Sequence, residues 1–227
     1  MKLMSFPNKE IFIFIISLVG FILSAFGLFD GVTDSIYSFL YSNLGYTETK
    51  GTAFGPIWFY NTNVNISAIF GRESFILFGI FFIIHYLINR NYFDLTWFSF
   101  ALIGAFFLLL VFKFLYQDVG STKFLHTSIT QGILFPSGHA FLSVIMSFLF
   151  YWEITKKGRS KAYRNFVGYF MIFLVLINSL SRIFLNRHSV DDIIGGWSLA
   201  VIWILFSLYI YKLMQNKFNS LNKILTP

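Results

Sequence analysis

The stretch FPSGHAFLS, residues 135–143, decides how the rest of the chain is interpreted. A proline, a serine, a glycine and a histidine follow one another, and the sequence is apolar on both sides of them. Pro136 and Ser137 are typical of the start of a helix. The free N–H groups of such a start attract anions. The stretch predicts a membrane helix that begins with an anion-binding turn carrying His139; a purely structural cap is the alternative.

The composition is that of an integral membrane protein. Of the 227 residues, 56% are hydrophobic and only 12% are charged, whereas soluble domains carry about 25% charged residues. The 32 phenylalanines would be hard to bury in one soluble core of this size. The chain has no cysteine, which excludes disulfides and thiolate metal ligands. We interpret residues 1–227 as one integral membrane domain.

Six apolar runs approach or reach the roughly 17–25 residues that cross a bilayer. Because backbone groups in lipid must bond internally, such runs form helices. The predicted fold class is therefore all-α, a bundle of six transmembrane helices. The predicted spans are Ile11–Phe29, Ser74–Asn89, Leu95–Tyr116, His139–Thr155, Phe166–Phe184 and Ile193–Leu213. The second span is short, and a start near Asn65 is the alternative.

The segment between the first two spans, Asp30–Phe70, is expected to be irregular. Within it, the weak periodicity of Ile36–Leu44 is compatible with a helix on the membrane surface. The segment is rich in Asn, Thr and aromatic residues, and we hypothesise that it recognises a substrate headgroup.

The basic residues predict the orientation of the chain. The loop KKGRSKAYR, residues 156–164, joins the fourth and fifth spans and has the charge of a cytoplasmic loop. It predicts that both termini are cytoplasmic. The net charge of +7 then follows from the positive-inside rule and not from a nucleic-acid partner. We expect the first span to be retained, since no clean cleavage site followed by a soluble domain is present.

Chemistry-bearing side chains collect at the non-cytoplasmic ends of four spans. Cations near helix ends, a Pro-Ser-Gly turn and two histidines are typical of a phosphate site with a nucleophile and a general acid. His188 and Asp192 are four residues apart, so the carboxylate can orient the imidazole. Asp191 is the rival partner. The candidate residues are Lys113, Ser137, His139, Arg182, His188 and Asp192.

Two of these segments resemble the PAP2 (type 2 phosphatidic acid phosphatase) superfamily. Its second motif, Pro-Ser-Gly-His, is similar to residues 136–139. Its third motif is Ser-Arg, five residues, His, three residues, Asp, which is similar to residues 181–192. The motif region spans residues 113–192. The resemblance implies a six-helix membrane phosphatase that uses neither metal nor cofactor.

The resemblance also implies a role for each residue. His188 is the nucleophile that forms a phosphohistidine, Asp192 orients it, and His139 is the general acid. The phosphate-binding residues are Lys113, Ser137, Gly138 and Arg182.

The first motif is degenerate. The family has Lys, six residues and Arg-Pro; Lys113 matches, but Gly120 and Ser121 replace Arg-Pro. Lys123 is the candidate replacement as a point charge, with an ordinary loop residue as the alternative.

The resemblance implies a lipid substrate at the outer face of a bacterial cytoplasmic membrane. The candidate lipids are phosphatidic acid, phosphatidylglycerol phosphate, undecaprenyl diphosphate and lipid A. Two alternatives stay open: a phosphotransferase that uses the same phosphohistidine, and a non-catalytic lipid-binding protein on the same scaffold.

Overall fold

The computed structural model describes residues 8–47, 53–116, 135–156 and 158–225. These residues are helical, apart from short connections and an isolated bridge between Tyr46 and Phe54. The all-α prediction is confirmed. The helices are α1 Asn8–Ala25, α2 Asp30–Leu44, α3 Ile57–Ala68, α4 Arg72–Ile88, α5 Tyr92–Leu115, α6 Gly138–Thr155, α7 Lys161–Phe184 and α8 Val190–Leu225.

Five helical stretches in the described part of the chain are long and apolar enough to cross a membrane. The predicted count of six is therefore one too high by this measure, and the stretch that falls short is α6. Protein surrounds α6, which packs between α7 and α8. A helix with neighbours on several sides can carry polar residues such as Ser143 and Ser147, both of which are buried.

The expectation that residues 30–70 are irregular is wrong. The helix predicted near Ile36–Leu44 is part of the longer α2, and α3 follows it. A short break at residues 69–71 separates α3 from α4, which together form one of the five candidate spans, Ile57–Ile88. The helix α2 packs on the bundle by one narrow face, formed by Thr33, Tyr37 and Leu40. Because the rest of its surface is not buried in the bundle, its sequence is less apolar on average, and it was not predicted as a full helix.

The helices place two polar clusters at opposite ends of the bundle. At one end, Lys156 Nζ lies 2.8 Å from Asp94 Oδ2 and 2.6 Å from Glu153 Oε2. Tyr86 donates its hydroxyl to the same Glu153, and His85 lies 3.8 Å from it. This cluster contains the start of α5 and the end of α6, so it ties the helices together where the basic loop begins.

The opposite end gathers the end of α5, the start of α6, the end of α7 and the start of α8. Between the two ends lies an aromatic core that includes the fully buried Trp97, Phe98 and Phe141. The helices α6 and α8 approach each other closely at Gly196, where an added Cβ would lie 2.7 Å from the carbonyl oxygen of Ser137. Gly196 thus lets the two motif-bearing helix starts meet.

Candidate active site

The Pro-Ser-Gly-His motif, residues 136–139, forms the start of α6. The Phe135–Pro136 peptide is cis, and Ser137 is fully buried. Ser137 Oγ accepts from the N–H of Ala140 at 3.4 Å, so this side chain caps the helix. The N–H of Ser137 donates to the carbonyl of Asp192 at 2.9 Å. The anion-attracting helix start is thereby fixed against α8, close to the third motif.

The third motif, residues 181–192, brings His188 to Asp192 at the start of α8. His188 Nδ1 lies 3.4 Å from Asp192 Oδ2, and the other ring nitrogen, Nε2, is left for chemistry. The same carboxylate oxygen accepts from the N–H of Ser189 at 3.0 Å, and Ser189 Oγ accepts from the N–H of Asp192 at 3.1 Å. This reciprocal cap holds the carboxylate in place. The pairing of His188 with Asp192 agrees with the predicted spacing.

Asp191, the rival partner, points elsewhere. Its Oδ1 accepts from the N–H of Phe29 at 3.0 Å, so it anchors the turn between α1 and α2. Asp191 is adjacent to Asp192 and equally buried. Its hydrogen bond goes to the backbone of Phe29, whereas the imidazole of His188 lies beside Asp192. The structure resolves the alternative in favour of Asp192.

The helix α2 holds the turn that carries His188. The hydroxyl of Tyr37 donates to the carbonyl of His188 at 2.8 Å, and both residues are buried. Thr33 Oγ1 accepts from the N–H of Val190 at 3.1 Å. These two bonds fix the backbone on each side of Ser189, which pre-organises the imidazole for reaction.

The imidazole of His188 is uncharged over a wider pH range than an exposed histidine. Burial is the main cause and lowers its pKa, and the nearby cations Arg182 and Lys113 act in the same direction. The hydrogen bond to Asp192 opposes them without reversing the shift. A neutral imidazole has a free lone pair, so the His188 side chain is able to act as a nucleophile below the ordinary histidine pKa of about 6.5.

Two cations border the histidines. Lys113, in the last turn of α5, lies against Gly138, where an added Cβ would be 3.6 Å from Lys113 Cε. Arg182, in the last turn of α7, donates from Nη1 to Ser67 Oγ at 3.0 Å. Both cations lie within electrostatic range of both histidines. The two side chains and the start of α6 form a cradle suited to phosphate oxygens.

His139 completes the group. It is half-buried in the first turn of α6 and lies within electrostatic range of His188. Its carbonyl accepts from Asn178 Nδ2 at 3.2 Å, which ties α6 to α7. Two histidines between two cations at the start of a helix can carry out phosphoryl transfer, one as nucleophile and the other as proton donor.

The structure brings seven of the eight predicted site residues to one end of the bundle. The eighth, Lys123, lies outside the described residues, as do Gly120 and Ser121. Four residues that sequence reasoning missed support the site: Thr33, Tyr37, Ser67 and Asn178. Asn178 is a polar residue inside an apolar span, and this position could have indicated a functional or supporting role. No local pattern indicated the other three.

No metal cluster is evident around the cradle: the described ranges contain no group of three or more His, Cys, Asp or Glu residues that could hold an ion.

The helices of this chain form the bundle of a multi-pass membrane protein, with the candidate site at one end. The PAP2 superfamily profile matches residues 114–216, which include both complete motifs. The resemblance predicted from the motifs is confirmed.

One solved structure shows the same fold. The chain is similar to the crystal structure of the first transmembrane PAP2 type phosphatidylglycerolphosphate phosphatase from Bacillus subtilis, with a TM-score of 0.64 and 15% sequence identity. The alignment covers 93% of this chain and 98% of that one. Among curated proteins, no sequence matches the chain significantly.

Proposed function

We propose that this protein is a lipid phosphatase that removes a phosphomonoester or diphosphate group from a lipid headgroup through a phosphohistidine. The observation that carries the proposal is the His188–Asp192 pair beside His139 and the two cations. A binding protein has no need of a buried nucleophile with an orienting carboxylate. The PAP2 match and the fold of the Bacillus subtilis phosphatase support the same class of reaction.

The reaction proceeds in two displacements. Nε2 of His188 attacks phosphorus while the bond to the lipid oxygen breaks, and His139 gives its proton to that oxygen. Negative charge on the bound phosphate favours the protonated imidazole of His139. Water then attacks the phosphohistidine, gives a proton back to His139 and releases phosphate. Lys113, Arg182 and the N–H groups of α6 stabilise the phosphoryl oxygens throughout, without a metal.

An apolar cavity supports a substrate with a hydrocarbon chain. It has a volume of about 530 Å³ and lies between α6, α7 and α8, lined by residues such as Val144, Val175 and Trp197. Pockets for small ligands measure roughly 300–1,000 Å³. Val144 lies five positions after His139 on α6, and Trp197 lies five positions after Asp192 on α8. Five positions correspond to about 7.5 Å along a helix. The cavity therefore begins just below the phosphate cradle.

We infer the orientation of the site from the charges at the other end of the bundle. Lys156 lies at the end of α6 opposite to His139, and Lys212 of α8 donates to Glu10 in the first turn of α1 at 2.8 Å. If the basic loop is cytoplasmic, so are both termini, and the site faces the outside. We propose that in a bacterium the protein lies in the cytoplasmic membrane with its site on the periplasmic or external face.

The proposal is tested by phosphate release from mixed micelles of the detergent-purified protein. The panel contains phosphatidic acid, phosphatidylglycerol phosphate, undecaprenyl diphosphate and lipid A, each with and without EDTA. We expect release from at least one lipid, and no effect of EDTA. Loss of activity that added metal restores would contradict the metal-free mechanism. A phosphorylated lipid acceptor in place of free phosphate would indicate a transferase, and no turnover at all would indicate a binding protein.

Filling the cavity should affect lipid substrates alone. In Val175→Trp, the larger side chain excludes about two methylene groups of the lipid, each worth about 0.8 kcal/mol of burial. We expect KM for the lipid phosphate to rise by about tenfold, with no change for the water-soluble ester p-nitrophenyl phosphate. The matched control is Phe173→Trp on the outer face of α7, where the side chain is 56% exposed. Equal effects of the two variants on the lipid would exclude the cavity as the chain site.

A further inference from the structure

The guanidinium of Arg182 is held from one side by α3. Its Nη1 donates to Ser67 Oγ at 3.0 Å. Ser67 is only 6% exposed, Arg182 is half-buried, and α3 packs along α7, so this bond is largely shielded from solvent. Neither PAP2 motif includes α3. A polar contact from outside the motifs therefore determines where a motif cation points.

The other side of the guanidinium has an unused donor. Arg182 Nε is buried and has no hydrogen-bond partner among the described residues. Leaving a charged donor buried and unpaired is costly, so such a group is usually paired in the functional complex. Arg182 lies within electrostatic range of both histidines. A phosphoryl oxygen at His188 would be placed to accept from this donor.

We infer that Ser67 is a positioning residue for phosphate binding, a role that rests on the proposed function. Its hydroxyl occupies Nη1, which fixes the rotation of the guanidinium and leaves Nε for the substrate. Arg182 has a long, flexible side chain, and ordering such a side chain on binding costs conformational entropy. The bond to Ser67 orders the guanidinium before the substrate binds. The role matters more here because Gly120 and Ser121 replace the Arg-Pro of the first motif, so that Arg182 is the one arginine at a position that the motifs define.

The test compares Ser67→Ala, which removes the hydroxyl, with Ser67→Thr, which keeps it. The matched control is Thr62→Ala on the same helix, whose exposed hydroxyl donates to the carbonyl of Trp58. For each variant we would measure the inhibition constant of inorganic phosphate, kcat and KM for the lipid substrate, and the midpoint of thermal unfolding. The inhibition constant of phosphate reports on binding in the cradle directly, and the unfolding midpoint reports on packing.

We expect Ser67→Ala to weaken phosphate binding by about tenfold, the usual value of one buried hydrogen bond. KM should rise more than kcat falls. The unfolding midpoint should also fall below that of Thr62→Ala, because Arg182 Nη1 loses its acceptor. Ser67→Thr should restore phosphate affinity. A purely structural serine would lower the unfolding midpoint and leave the inhibition constant unchanged, and that result would overturn the inference.

Failure of this inference is distinguishable from failure of the proposed function. If the parent protein hydrolyses lipid phosphates and Ser67→Ala binds phosphate as tightly as the parent does, only the role of Ser67 is refuted. If the parent neither hydrolyses any lipid of the panel nor binds inorganic phosphate, the proposed phosphatase function is refuted and the role of Ser67 with it.

Discussion

Replacing His188 with alanine is expected to abolish phosphate release, lowering kcat by roughly 10⁴-fold or more, as removal of a nucleophile does in other enzymes. The reason is geometric: His188 presents Nε2 to the substrate because Asp192 occupies the neighbourhood of Nδ1. The parent protein, quenched in alkali during turnover of a radiolabelled lipid phosphate, should carry label that acid releases. His188→Ala should carry none.

The control for this experiment is His85→Ala. His85 lies at the other end of the bundle beside Glu153, with its side chain 44% exposed. This substitution removes a histidine from the same protein without approaching the cradle, so labelling and turnover should match those of the parent. Persistent labelling of His188→Ala would show that another group attacks phosphorus, and the assignment of the nucleophile would then be wrong.

The motifs predicted which helix ends carry the candidate site residues, because the spacing of these residues has a direct structural meaning. Four residues from His188 to Asp192 place both groups in the first turn of α8 or just before it. Pro136 and Ser137 mark the start of α6. A helix start and a helix face are local properties, so the sequence near each residue was sufficient to predict them.

The supporting shell could not be predicted in the same way. Tyr37 and Ser67 act on groups more than one hundred residues away along the chain. Their roles follow from the packing of α2 and α3 on the ends of α7 and α8, and a single sequence does not encode which distant partners will meet. The same limit explains why residues 30–70 were predicted to be irregular: their helices are stabilised by tertiary contacts and not by a continuous apolar run.

The hypothesis that residues 30–70 recognise the headgroup can now be made more specific: α2 and α3 support the site residues. The contacts of α2 and α3 go to the turn of His188 and to the guanidinium of Arg182. Both helices therefore support the candidate site residues, as supporting residues hold a preorganised site. An exchange of this segment with that of a relative would consequently change kcat and phosphate affinity together, whatever it does to lipid preference.

Replacing His139 with asparagine is expected to separate two kinds of substrate. A lipid alkoxide is a poor leaving group and needs a proton, whereas p-nitrophenolate leaves without one. Removing a general acid costs typically 10²–10⁴-fold. We therefore expect a loss of about that size for the lipid phosphate, and a much smaller loss in the step that releases p-nitrophenolate. Single-turnover kinetics with both substrates would measure the difference.

The same variant tests the second displacement. In the proposed cycle His139 accepts the proton of the attacking water, so His139→Asn should hydrolyse the phosphohistidine slowly. With p-nitrophenyl phosphate, a burst of p-nitrophenolate equal to the enzyme concentration should precede slow turnover, and label from a radioactive substrate should accumulate on His188. Because asparagine leaves the backbone bond from Asn178 to residue 139 in place, the start of α6 should be preserved. Equal losses on both substrates with no burst would assign His139 to phosphate binding instead of proton transfer.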